Sequence, residues 1–360
     1  MTASPAHVAA PVPELDLPGI RHAVDARLDA FLTGKKHQAA GQRLPAEVPS
    51  VLVDFLFAGG KRLRPLLCVC GWYAGGGHGD ETGVIQAAAA LEMFHAFALI
   101  HDDLMDHSAT RRGHPTVHRT LAAHHGGNQR LGASSAVLIG DLALTWSDEL
   151  LHTAPLTPAQ LTAVLPVIDT MRTEVMYGQY LDLIAAGHPT DGDTTIPLKI
   201  IRYKTAKYTI ERPLHTGATL AGAPHTALAA LSKFALPLGE AFQLRDDLLG
   251  VFGDPGVTGK PALDDLRDGK HTVLITLALQ RAAPTQRAVL HALIGSRDLD
   301  EAGAARIRRI LIATGARAET EHMIRTRQAQ AHRALRQASL PPPAAAALRR
   351  LADSAVARTS

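Results

Sequence analysis

The run from Val84 to Ile100 is almost wholly apolar, is broken by Glu92, and flows straight into His101-Asp102-Asp103-Leu104-Met105-Asp106. A segment of this kind is predicted to be a helix surrounded by other protein, with a carboxylate cluster at its end. That requires a sizeable core. With 360 residues, 46% of them hydrophobic, the chain can supply one. No apolar run reaches the roughly 18 uncharged residues of a membrane span.

The rest of the chain reads as helix almost throughout. A flexible leader is predicted over residues 1–19, ahead of a first amphipathic helix near Ile20–Leu32 and a second segment around Val48–Phe57. Thr157-Pro158-Ala159-Gln160 has the form of a capping box, followed by apolar residues at helical spacing from Leu161 to Met176. Another helix is predicted to begin near Thr226, and a short one to follow Pro341-Pro342-Pro343. Strand signals are nearly absent, with aromatics at only 4%. No composition shift marks a domain boundary, so residues 20–360 read as one all-α domain.

Charge and cysteine use exclude several classes. The net charge of +3 is small and its Lys and Arg residues are scattered, which disfavours a nucleic-acid arm. Cys68 and Cys70 are too few for a disulfide framework and lack further zinc ligands, so buried thiols and a cytoplasmic location are expected. The first twenty residues hold no Lys or Arg and four prolines, which is not a signal peptide.

The chemistry lies in clusters. Asp102 and Asp106 are four apart, so a helix puts them on one face, where they can hold the same cations. Hard carboxylate oxygens suit magnesium, which keeps water and substrate phosphate in its shell. Carboxylates at a helix C-terminus oppose the macrodipole, and that cost favours a functional reason for them. Arg111-Arg112-Gly113-His114-Pro115-Thr116 offers two diverging guanidinium groups suited to phosphate. Gly59-Gly60-Lys61-Arg62-Leu63-Arg64-Pro65 could form a second cationic pocket, though it lacks the spacing of a Walker loop. Downstream stand Tyr203-Lys204-Thr205, then Phe242-Gln243-Leu244-Arg245-Asp246-Asp247, then Gly259-Lys260 and Asp264-Asp265-Leu266-Arg267-Asp268-Gly269-Lys270. Taken singly, these lysines read as ordinary surface ion pairs rather than ligands. Jointly they fit a site that binds a polyanion through bridging cations.

The order GGKRLRP, HDDLMD, RRGHPT, GQYLDL, KT, FQLRDD and GK…DLRDGK resembles the trans-isoprenyl diphosphate synthases, most closely the bacterial geranylgeranyl and farnesyl diphosphate synthases. The resemblance runs from about Phe55 to Leu274. It implies a helical bundle around a deep central cavity, usually a homodimer. It also implies that Lys61, Arg64, His95 and Arg112 bind isopentenyl diphosphate. Arg111, Lys204, Thr205, Gln243, Lys260 and Lys270 would surround the allylic diphosphate. Asp102 and Asp106 would ligate two magnesium ions and Asp246 a third, supported by Asp103 and Asp247. Gln179 and Asp182 would face the cavity. Two residues depart from the pattern: Gly250 stands where the family commonly has Asp, and Leu263 where it has Gly.

The growing product is expected to run down the helix that precedes Asp102, with Phe97 and Phe94 roughly 7 and 12 Å below the metal end. Together with Ala98 these would set product length. The resemblance points to geranylgeranyl diphosphate, with farnesyl diphosphate the nearest alternative. A class I terpene cyclase and a subunit of a heteromeric prenyl synthase are the rival readings.

Overall fold

The computed structural model describes residues 14–186, 192–253 and 263–356. Helices dominate them. The first, α1 (Leu17–Gly41), starts where the Asp16 side chain accepts the Gly19 N–H at 3.0 Å, with Pro18 in the first turn. The predicted leader therefore stops short of residue 19, because Leu17–Gly19 already belong to the helix. Ile20, Val24, Leu28 and Leu32 recur every fourth residue and are all buried. Next come α2 (Glu47–Phe57) and α3 (Leu63–Ala74), the latter holding Cys68 and Cys70 as buried free thiols.

The long apolar run becomes α4 (Thr82–Met105). Its length and composition would let it cross a membrane, but 78% of its most apolar window is buried inside the bundle. Glu92, which interrupts the run, is buried opposite the Arg62 guanidinium at 3.0 Å. After α4 comes a two-stranded hairpin, β1 (Thr110–Arg111) and β2 (His114–Pro115). Then follow α5 (Val117–His124), α6 (Gln129–His152) and α7 (Pro158–Ala186). The capping box at the start of α7 forms both ways: Gln160 N–H donates to Thr157 Oγ1 at 3.2 Å, and Thr157 N–H to Gln160 Oε1 at 2.9 Å.

After α8 (Thr195–Ile200) the chain widens into a π-helical stretch, Ile201–Glu211, before narrowing into α9 (Arg212–Leu220). Such wide turns are uncommon and cluster at functional sites. The remaining helices are α10 (His225–Phe252), α11 (Asp264–Arg267), α12 (Val273–Arg281), α13 (Pro284–Leu293), α14 (Glu301–Ala313), α15 (Ala316–Gln337) and α16 (Pro342–Val356).

The buried apolar residues form one continuous cluster running from Ile20 to Ala355. Within it α4 packs along α6, α7 packs along the π-helical stretch, and α10 packs along both that stretch and α15. Helices α4 and α7 do not pack along each other. They stand further apart than packed neighbours and meet through side chains, and the site lies where the end of α4 faces α7.

Candidate active site

The first acid cluster sits on the last turn of α4, where the Asp106 N–H closes the helix on the Asp102 carbonyl at 2.9 Å. Asp102 faces α7. Its carboxylate accepts from Lys204 Nζ and from Gln179 Nε2, both at 3.1 Å. Lys204 also donates to Asp182 at 2.6 Å, so α4, α7 and the π-helical stretch meet at one ammonium group. Gly178 makes that approach possible, because a Cβ there would lie 2.4 Å from the Lys204 backbone nitrogen.

The two arginines of the hairpin diverge, as neighbouring side chains can. Arg111 turns inward and donates its Nε to both oxygens of Asp103, at 2.9 and 2.7 Å, and its Nη2 to Asp102 at 3.2 Å. Asp103 is itself buried. Its paired geometry with Arg111 fixes the guanidinium rather than leaving the carboxylate open to a cation. Arg112 adopts a left-handed backbone with φ +54° and turns the other way, donating to the Gly59 carbonyl. That places it at the Gly59–Arg64 segment. Arg64 is stacked on the Tyr208 ring at 4.3 Å and donates to Thr209 Oγ1 at 2.6 Å, while His95 Nδ1 lies 3.1 Å from the Tyr208 hydroxyl. Lys61 is exposed beside them. A cationic pocket thus stands next to the acidic one, separated by the end of α4.

The second acid cluster lies on α10. Thr205 Oγ1 donates to Gln243 Oε1 at 2.7 Å, and Gln243 Nε2 donates to Asp247 at 2.8 Å. Asp246 is half-buried one residue earlier. Lys270 connects the two clusters: its Nζ is 3.0 Å from Asp106 and 3.8 Å from Asp265. Lys260 lies outside the described residues. Leu263 is described, half-buried and packed against the core.

Electrostatics follow from this arrangement. Burial would raise the Asp102 carboxyl, but Lys204, Lys270 and Arg111 outweigh it and hold it well below the usual carboxylate range. Burial likewise opposes the charge on Lys270, yet Asp265, Asp106, Asp102 and Asp182 raise it above an ordinary lysine. Asp247 is the exception. Burial pushes it up to about 8, against the Gln243 hydrogen bond and with help from Asp265, Asp246 and Asp182. These carboxylates outnumber Lys204, Lys270 and Arg111, so the site carries uncompensated negative charge. Among the described residues no three His, Cys, Asp or Glu side chains gather into a closed metal cage. Hard oxygen donors in excess, without a cage, fit magnesium, which uses few protein ligands and takes the rest from water and phosphate. In the other pocket the sign reverses: burial, then Arg64 and Arg112, hold His95 neutral.

Four contributors escape motif reading. Arg62, inside GGKRLRP, has a left-handed backbone (φ +51°) and a buried guanidinium. It holds Asp25 at 2.6 Å, Glu92 at 3.0 Å and the Leu56 carbonyl at 2.8 Å. Tyr208 and Thr209 stand four residues after the KT pair, a spacing at which helical residues share a side, but no motif includes them. Asp265 sits against Gly250: a Cβ on that glycine would lie 1.9 Å from Asp265 Oδ2.

An all-helical bundle with two facing acid clusters and an adjacent cationic pocket defines a class of enzyme fold that handles diphosphates. The chain belongs to the polyprenyl synthetase family, whose pattern matches residues 46–311. It is 34% identical over 241 residues to a geranylfarnesyl diphosphate synthase of Aeropyrum pernix, covering 66% of this chain and 72% of that one. A geranylgeranyl diphosphate synthase of Saccharolobus solfataricus is 32% identical over 244 residues, covering 67% of this chain and 69% of that one. The crystal structure of a geranylgeranyl pyrophosphate synthase from Corynebacterium glutamicum, complexed with isoprenyl diphosphate and magnesium, superposes with a TM-score of 0.92. It is 40% identical and covers 96% of this chain and 100% of that one.

Proposed function

We propose that this protein condenses isopentenyl diphosphate with an allylic diphosphate and makes geranylgeranyl diphosphate as its main product. The observation that carries this reading is the pair of oppositely charged pockets on either side of the end of α4. One is acidic and deficient in cations; the other is cationic around Arg64, Arg112 and Lys61. Two diphosphates held side by side need such a division, one bound through metal and one directly by cations.

Asp102, Asp106 and Asp246 would hold the magnesium, three ions in all, which would supply positive charge to the leaving diphosphate. Lys204, Lys270 and Arg111 donate to the same diphosphate oxygens and are pre-positioned by Asp182, Asp265 and Asp103. The allylic C–O bond breaks with its electron pair leaving on the diphosphate. Arg64, Arg112 and Lys61 hold isopentenyl diphosphate so that its alkene attacks the cation. The proton then lost passes to the departed diphosphate, restoring a double bond. Phe97, Phe94 and Ala98 line the helix below and keep water from the cation. Named relatives range from farnesyl to nonaprenyl diphosphate synthases, so family membership alone leaves product length open. The aromatic Phe97 and the fully buried Phe94 support a short-chain product.

A cytoplasmic homodimer is part of the same reading. Leu138 on α6 and Tyr177 and Tyr180 on α7 are each more than 60% exposed, an apolar face that a second copy would cover. Light scattering should give twice the mass of the chain. Incubation with magnesium, isopentenyl diphosphate and each allylic starter, followed by chromatography of the dephosphorylated products, tests the activity. A hydrocarbon formed from one diphosphate, without elongation, would sink the proposal.

A further inference from the structure

Side chains bridge α4 and α7 at two levels. At the top, Asp102 meets Gln179 and Lys204. At the bottom, the Arg172 guanidinium of α7 lies 5.4 Å from the centre of the Phe94 ring, which also meets the Tyr208 ring edge-on at 5.8 Å. Phe94 is eight residues before Asp102 and Arg172 seven before Gln179, so the bridges are about 10–12 Å apart along both helices. Between these levels lie Ala98, half-buried on α4, and Met176, on the same stripe of α7 as Arg172 and Gln179.

Arg172 is anchored from behind. Asp148 of α6 pairs with its Nη1 at 2.6 Å, and the buried Ser147 hydroxyl accepts from its Nη2 at 3.3 Å. Its Nε is buried without a hydrogen-bond partner. We infer that Arg172, clamped by Asp148 and stacked on Phe94, is the charged floor of the product cavity and a determinant of product length. The inference rests on the proposed function. An apolar tail that reached this level would have to desolvate a guanidinium with a donor already unpaired, a cost no hydrocarbon contact offsets. An aromatic floor can rotate aside for the next isoprene unit, whereas a cation held by a carboxylate resists.

The test is the product profile with farnesyl diphosphate as starter, read alongside total turnover and melting temperature. Arg172→Met keeps the bulk and removes the charge; its main product should lengthen by at least one isoprene unit, with turnover within about threefold of wild type. Arg172→Lys should keep the wild-type product. Asp148→Asn acts from the half-exposed outer side, so it tests the clamp if Arg172→Met folds poorly; it should broaden the distribution toward longer products. Wild-type profiles from both Arg172→Met and Asp148→Asn at normal turnover would overturn the inference and leave the proposed function standing. Absence of elongation by the wild-type enzyme would overturn both.

Discussion

The carboxylate of Asp265 occupies the space that a side chain at Gly250 would need, 1.9 Å from where its Cβ would stand. The second acid motif therefore lacks its last acidic residue on α10 but has a carboxylate at that place, delivered from α11. Gly250→Ala meets only the end of a flexible side chain. It should cost less than about 1 kcal/mol of stability yet push Asp265 away. Titration of activity with magnesium should then show a higher half-saturating concentration. Gly250→Asp, although it matches the family pattern, should be worse than Ala, and Asp265→Gly in the same chain should relieve it. An unchanged metal titration in both single variants would remove the pairing.

Asp102→Ala removes the acceptor shared by Lys204, Gln179 and Arg111. Turnover should fall by about 100-fold or more, while circular dichroism stays that of the wild type. Retention of near-normal turnover would exclude Asp102 as a metal ligand.

Arg62→Met would leave Glu92 buried and unpaired beneath the cationic pocket. Removing one partner of a buried pair costs about 3–5 kcal/mol, measurable by urea unfolding. Because the Gly59 carbonyl accepts from Arg62 at 3.5 Å as well as from Arg112, the Michaelis constant for isopentenyl diphosphate should rise too. Arg112→Ala should raise that constant with little loss of stability, since Arg112 is only half-buried. An effect confined to the allylic substrate would mean that the two hairpin arginines serve opposite sites.

Burial, together with Arg64 and Arg112, depresses the pKa of His95 in the folded chain. The unfolded imidazole titrates near 6.5, so below that pH the unfolded state binds a proton that the native state refuses. Stability should therefore fall as the pH drops below about 6.5, by up to ~1.4 kcal/mol per pH unit for this residue. Burial also lowers His118, His215 and His271, which add to the same trend. His95→Gln should flatten the slope by one proton's worth in denaturation between pH 5 and 6.5. A slope identical to wild type would show that His95 is protonated in the fold.

Much of the architecture was legible because it is local. The capping box at Thr157, the four-residue recurrence from Ile20 to Leu32 and the apolar run into Asp102 each depend on residues within a turn or two. The start of α1 at Leu17 is set by Asp16 and Pro18, capping signals at a boundary that apolar spacing does not mark. The hairpin at Thr110–Pro115 leaves no mark in the sequence, since two-residue strands carry no alternation to detect. Tyr208 and Thr209 lie outside every motif, although their i+4 spacing from Lys204 and Thr205 puts them on the same side of a helix.

The sequence by itself determined which groups are available at Asp102 and Asp106: two carboxylates at the end of a helix whose burial follows from its apolar composition. Only the tertiary structure decided what those groups meet. Lys270 reaches Asp106 across 164 residues, Lys204 reaches Asp102 across 102, and Asp265 fills the vacancy at Gly250. Helix propensity and capping act over a few residues, whereas these pairings depend on how α4, α7, α10 and the π-helical stretch are held around one site by packing. A missing acid on one helix can thus be supplied by another, which no local pattern discloses.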